Sequence, residues 1–260
     1  MAARQRTSVV TWSSLRPLES KSLKDFSNLS KAGRRPLLIR DGLAKNGNLS
    51  DWSLETLADS HGNNSISVHV KDRQFDIHEW THNRELYLRS YPARHMSIRR
   101  MKLSRFLLQL RNESHSEDVY SIAGVPAAKI VKNGCAPLPN ICKYMGCTLT
   151  TVWSAPSGRI WSLHQDECPV FMGLSFGKKL VTIAKPSASA NLYVHSQNHL
   201  LSSVPDARRA DLRKFPKLKR VEFLRALMYP GDLLYVPPYW WHQVEYIVGS
   251  LSFSYWRLET

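Results

Sequence analysis

The hydrophobic pattern changes character part-way along the chain. Up to about residue 118, helical and extended spacings alternate. Leu23, Phe26 and Leu29 recur at the interval of one helix face. Arg35-Pro36-Leu37-Leu38-Ile39, after a turn at Gly33, is the short apolar run of a buried strand. Ser53 precedes Leu54-Glu55-Thr56-Leu57-Ala58 and predicts a capped helix that closes near Gly62. Ile66, Val68 and Val70 alternate as a half-buried strand. Ser104 stands where a cap would begin a helix carrying Leu103, Phe106, Leu107 and Leu110 on one side and ending near Asn112.

From Val119 onward the spacing is nearly all extended. Strands are predicted over 119–123, 147–154, 159–164, 170–176, 180–185, 224–228, 232–236, 242–248 and 250–256. Pro156-Ser157-Gly158 turns one hairpin, and Pro230-Gly231-Asp232 opens another strand. Many short strands with turn punctuation predict a closed or double-layered β architecture. The expectation is one domain over 1–260, mainly β with flanking helices. In it, a helix-and-strand part, 1–118, packs on a β-barrel core, 119–260.

Composition narrows this picture a little. With 43% apolar and 10% aromatic residues in 260, the chain can bury a core and is not of the disordered class. Thirty-six Lys and Arg against 21 acidic residues give +15, which suits a polyanionic partner such as nucleic acid or is only surface dressing. Cys135, Cys142, Cys147 and Cys168 have neither Cys-x-x-Cys spacing nor the density of a disulfide scaffold, so reduced thiols are expected. No run is long and apolar enough for a membrane span, and no signal-peptide core follows Met1. An intracellular location, cytoplasmic or nuclear, is expected. The first eighteen residues lack acid and contain Arg4, Arg6 and Arg16, a faint echo of a transit peptide.

The candidate chemistry lies in the β half. Trp161-Ser162-Leu163-His164-Gln165-Asp166 sets an imidazole and a carboxylate two residues apart, and Trp240-Trp241-His242 closes a later strand run. Side chains at i and i+2 of a strand point the same way, so His164 and Asp166 can meet one ion, with His242 reaching it from another strand. Two histidines and a carboxylate on one face of a metal match the non-haem Fe(II) oxygenases. Each piece alone has a blander reading, as a polar strand end or a core histidine. His195 and His199, four apart, and Cys168, two beyond Asp166, are read as structural or surface residues. Trp240-Trp241 is read as barrel packing. Residues 208–220 hold seven basic residues in thirteen, either a docking patch for acidic protein or RNA phosphates or a solvated loop.

These motifs resemble the Jumonji-C (JmjC) branch of the cupin superfamily, double-stranded β-helix (jelly-roll) oxygenases that use Fe(II) and 2-oxoglutarate. The likeness runs in order through Trp153-Ser154-Ala155-Pro156-Ser157-Gly158-Arg159, Leu163-His164-Gln165-Asp166, Leu192-Tyr193-Val194-His195 and Lys214-Phe215-Pro216-Lys217-Leu218. It continues through Pro230-Gly231-Asp232-Leu233-Leu234-Tyr235-Val236-Pro237 and Ser250-Leu251-Ser252-Phe253-Ser254-Tyr255-Trp256. It is strong over roughly the last hundred residues and looser before, and it is greatest toward the small JmjC hydroxylases. It implies His164, Asp166 and His242 as metal ligands and catalytic centre. The family's cosubstrate lysine, thirteen residues beyond the carboxylate, maps to Lys179, with Lys178 facing solvent.

Two departures bear on the cosubstrate. Trp161 stands where relatives carry a small hydroxyl residue, and Val170 where they carry asparagine. Tyr144 or Ser252 is expected to contribute instead, with Trp153, Trp161 and Trp240 walling the pocket. His69 occupies the strand position at which arginyl hydroxylases present a glutamate, which argues against an arginine substrate. The implied reaction is hydroxylation of a protein or peptide side chain, with release of succinate and CO2. Alternatives are oxidation of RNA or a nucleotide, tailoring of a free amino acid or small metabolite, and a metal-free binding module. A monomer is the default expectation.

Overall fold

In the computed structural model the described residues are 10–15, 23–31, 33–43, 52–72, 96–112, 118–131, 138–196 and 198–257. The predicted helices are present as α1 (Leu23–Leu29), α2 (Leu54–His61) and α3 (Leu103–Asn112). Ser53 caps α2 by accepting the Thr56 N–H at 3.1 Å. Phe26 of α1 is buried, whereas Leu29 is exposed. Ser104 is not a cap: α3 starts one residue earlier, and the amides of Leu103 and Ser104 donate to the carbonyls of Asn64 and Gly62. The turn between α2 and β3 (Ser65–Asp72), rather than a side chain, therefore closes that helix end. Leu103, Phe106, Leu107 and Leu110 form the buried face of α3, as their spacing predicts.

The strands build two sheets that share two long members. These are β8 (Val170–Ala184) and β13 (Trp241–Trp256), antiparallel to each other along their length. The first half of β8 and the second half of β13 lie in one sheet. There, β2 (Leu37–Ile39) and β12 (Leu233–Val236) flank β8, while β6 (Leu149–Ala155), β5 (Asp118–Pro126), β3 and β4 (Met96–Lys102) continue from β13. The other halves join the second sheet. In it, β11 (Glu222–Met228) and β1 (Thr11–Ser14) flank β8, and β7 (Ile160–His164), β10 (Asn198–Ser202) and β9 (Val194–His195) follow β13. This is the jelly-roll arrangement of a mainly β fold.

The sequence pattern predicted four strands where the structure has these two. The expected interruptions, at 177–179 and at 249, are bends within continuous strands. Gly177 takes φ +88, and the register between β8 and β13 shifts between Tyr246 and Ser252. Each bend passes its strand from one sheet to the other. The pairing of β1 with β11 was not predicted: Thr11–Ser14 lies in the segment that echoes a transit peptide, yet Trp12 stacks on Phe223 at 4.9 Å. Cys135 falls outside the described residues.

Candidate metal centre

His164 ends β7 and His242 begins β13, and the two residues are directly opposite each other in the ladder. Their ring centroids are 4.1 Å apart. Asp166 follows β7 by two residues, and its carbonyl accepts the Tyr239 N–H at 2.7 Å, tying it to the turn that precedes β13. One ligand atom from each of His164, Asp166 and His242 lies within 4.8 Å of the others, and this is the one such group among the described residues. The three side chains converge, although Asp166 lies beyond the end of β7 rather than within the strand, and His242 comes from the neighbouring strand.

Backbone carbonyls set the imidazole tautomers. His164 Nδ1 meets the Ser162 carbonyl at 2.7 Å, and His242 Nδ1 meets the Trp240 carbonyl at 3.0 Å. Each contact puts a proton on Nδ1 and turns Nε2 toward the cavity, where the neutral ring offers an electron pair. His242 Nε2 sits 3.4 Å from Asp166 Oδ2. That oxygen is buried and has no hydrogen-bond partner. Two electron-pair donors thus face each other with nothing to share, an arrangement that costs free energy unless a cation or proton lies between them. The donor set fits a divalent metal of the iron type, held on one face with the opposite face open.

The triad opens into a cavity of about 200 Å³ between the two sheets. Lys179, Ser252 and Trp153 line it, as expected; Tyr144 does not. Tyr144 ends a short helix, Asn140–Tyr144, and is 65% exposed, so the expectation that it contacts a cosubstrate is corrected. Trp240 is likewise absent from the wall, where Trp161 stands as expected and Trp256 takes the third place. Lys179 is 5% exposed. Its ammonium donates to Ser252 Oγ, whose own proton goes to the Trp153 carbonyl at 3.0 Å. The ring of Tyr246, its cross-strand partner, lies 4.2 Å from the ammonium. No carboxylate among the described residues pairs with Lys179, and burial lowers its pKa to about 7.

Several lining residues escaped the sequence reading. Tyr246 and Val244 share the inward face of β13 with His242, a period-2 signal that was legible. Met172 and Met228 also line the cavity. Thr151 acts from behind: its hydroxyl accepts the indole N–H of Trp153 at 3.0 Å and of Trp256 at 2.9 Å, fixing both rings. The opposite face of β13 is anchored too. Gln243 and Glu245 are buried there, and Arg208 and Arg209 pair with Glu245 while Gln243 donates to Asp206. Two of the seven basic residues of 208–220 therefore clamp a loop to the ligand strand.

The remaining candidates lie elsewhere. His199 is exposed, 4.0 Å from Glu167, and His195 is on β9; neither joins the triad. Cys168 is half-buried. Trp241 is fully buried and bonded to Ser189, as packing requires. His69 is half-buried on β3, outside the cavity lining, and burial together with the nearby Arg159 guanidinium lowers its pKa, keeping it neutral.

Comparison with known proteins agrees with this geometry. The cupin-like domain family matches residues 24–257. The chain belongs to that family. Jumonji C domain-containing protein 5 of Drosophila melanogaster is 25% identical over 246 residues, covering 92% of this chain and 58% of that protein. Lysine-specific demethylase JMJ30 of Arabidopsis thaliana is 33% identical over 122 residues, 46% of this chain and 28% of its own length. Lysine-specific demethylase 8 of Danio rerio is 32% identical over 106 residues, 40% of this chain and 26% of that protein. The chain thus spans little more than half of the first relative and less of the others. JmjC proteins are typically Fe(II)- and 2-oxoglutarate-dependent oxygenases, and the triad here is of the kind that holds such a metal. No described helix is long and apolar enough to cross a membrane.

Proposed function

We propose that this chain is an Fe(II)- and 2-oxoglutarate-dependent dioxygenase that hydroxylates a C–H bond in a protein or peptide side chain. One observation carries the reading: Asp166 Oδ2 and His242 Nε2 face each other beside His164, in the same cavity as a buried lysine that has no carboxylate partner among the described residues. Iron and cosubstrate, when bound, supply the oxidising chemistry, with 2-oxoglutarate decarboxylated to succinate and one oxygen atom passed to the substrate. The protein's part is binding and orientation. Nε2 of His164 and His242 and one Asp166 oxygen hold the ion, while the Ser162 and Trp240 carbonyls orient the two rings through Nδ1. Lys179 pairs with the far carboxylate of the cosubstrate, and Ser252 fixes the direction of its ammonium. The indoles of Trp153, Trp161 and Trp256 exclude water from the reacting face. A protein substrate is favoured by the relatives whose names are those of lysine demethylases.

The test is succinate release from 2-oxoglutarate by protein reconstituted with Fe(II) and exposed to air. Wild type should release succinate, and His164→Ala and Asp166→Ala should fall to background. Full turnover in either variant would overturn the ligand assignment. On a peptide pool, a mass gain of one oxygen marks hydroxylation, and formaldehyde release would point to demethylation instead.

A further inference from the structure

The short helix Asn140–Tyr144 closes on itself at its C-terminal end. The Cys147 N–H donates to the Cys142 carbonyl at 2.9 Å, and the Gly146 N–H donates to the Lys143 carbonyl at 3.0 Å. Gly146 takes φ +73, the left-handed conformation that glycine adopts without steric cost. These are the two bonds and the glycine of a Schellman motif, whose first and last residues commonly touch through apolar side chains. Here both of those positions carry a thiol, and the Cys142 thiol donates to the Cys147 sulfur. We infer that Cys142 and Cys147 are an oxidation site, a dithiol that a small hydroperoxide converts reversibly to a disulfide.

Neither cysteine lines the metal cavity, so the inference goes beyond the oxygenase reading and stands without it. The turn supplies the geometry. An amide of one cysteine bonded at 2.9 Å to the carbonyl of the other keeps their α-carbons no more than about 7 Å apart, the outer limit for bridging. The contact between the sulfurs means that the side chains also point toward each other. The two thiols are not equivalent. Cys142 is fully buried, whereas Cys147 is 9% exposed, enough to meet a molecule little larger than water. Arg257 lies along the turn, its Cδ 3.8 Å from where a Cβ on Gly146 would stand. The hydrogen bond from Cys142, aided by the Arg257 guanidinium, lowers the Cys147 pKa against the effect of burial. Burial raises that of Cys142. Cys147 is therefore the attacking thiol and Cys142 the resolving one. The Cys147 thiolate takes one peroxide oxygen, the O–O bond breaks, and the hydroxide released is protonated to water, leaving a sulfenic acid. The Cys142 sulfur then attacks that sulfur; the S–O bond breaks, and its hydroxide leaves with the Cys142 proton as a second water. Two thiols lose two electrons and two protons, and the peroxide takes up both. The bridge fastens the helix to the start of β6, which carries Thr151 and Trp153.

Lys143 lies between the two cysteines, so trypsin separates them into two peptides that stay joined only through a disulfide. The full chain carrying Cys135→Ser, which removes the other cysteine of the first peptide, is treated in its folded state with hydrogen peroxide. It is then capped with N-ethylmaleimide and digested without reductant. Mass spectrometry should show the peptide ending at Lys143 joined to the one beginning at Tyr144, at least about tenfold more abundant than without peroxide. Dithiothreitol should return both thiols. With Cys142→Ser added, the joined species should vanish and Cys147 should accumulate as a sulfenic acid that dimedone traps. Both thiols still capped after peroxide would overturn the inference. So would joining of either cysteine to Cys168 in its place, or linkage that forms only in protein unfolded beforehand.

Discussion

Lys179 and Asp166 are two halves of one arrangement, each incomplete without a ligand. The ammonium is buried against Tyr246 and Ser252, and the carboxylate oxygen is buried opposite the His242 Nε2. The sign of the resulting pH dependence follows from Lys179. Its pKa is about 7 in the folded protein against 10.5 in a free chain, so between those values the unfolded chain holds more protons. In the ligand-free protein this group therefore makes stability rise as pH increases from about 7 toward 10.5, with its full penalty present below 7. Lys179→Met should flatten that part of a melting-temperature profile. In the same variant the apparent 2-oxoglutarate Kd should rise at least about tenfold, the loss of a charge-assisted pair. An unchanged cosubstrate requirement would move the anchor elsewhere.

At the scale of elements, the two bent strands decide where these side chains meet. Gly177 carries β8 from one sheet to the other at φ +88, and a Cβ there would fall on the Gly249 carbonyl and the Ser250 side chain. Gly177→Ala should therefore cost at least ~2 kcal/mol, from backbone strain and overpacking together, read as a lower denaturation midpoint. A neutral effect would mean that the bend does not depend on glycine. The bend was legible in the sequence as an interruption between 176 and 180, but its meaning was not: local pattern shows where pairing is broken, and not that one strand serves both sheets. For the same reason β1 escaped notice. Thr11–Ser14 has no alternating face, and only the partner β11, some two hundred residues on, makes it a strand.

At the scale of the whole molecule, the candidate metal site was the most legible part because its three side chains obey short rules. Asp166 follows His164 by two residues, just past the end of β7, and His242 pairs directly across from His164. Tyr144 was misassigned because nothing in a one-dimensional pattern says which side of the barrel a helix end will face. The basic run 208–220 was only half understood. Counting charge gave no hint that Arg208 and Arg209 would reach back to Glu245, behind the ligand strand. The +15 net charge therefore includes cations already spent on holding the fold. The family, the jelly roll and the clustered triad support the proposal that three donors from β7, its following loop and β13 hold a divalent ion. The most direct measurement is an anomalous difference map from crystals soaked without oxygen in Mn(II) and 2-oxoglutarate. A single peak at bonding distance from His164 Nε2, His242 Nε2 and an Asp166 oxygen, with the dicarboxylate reaching Lys179, is the predicted result. A peak elsewhere, or none at saturating metal, would contradict it.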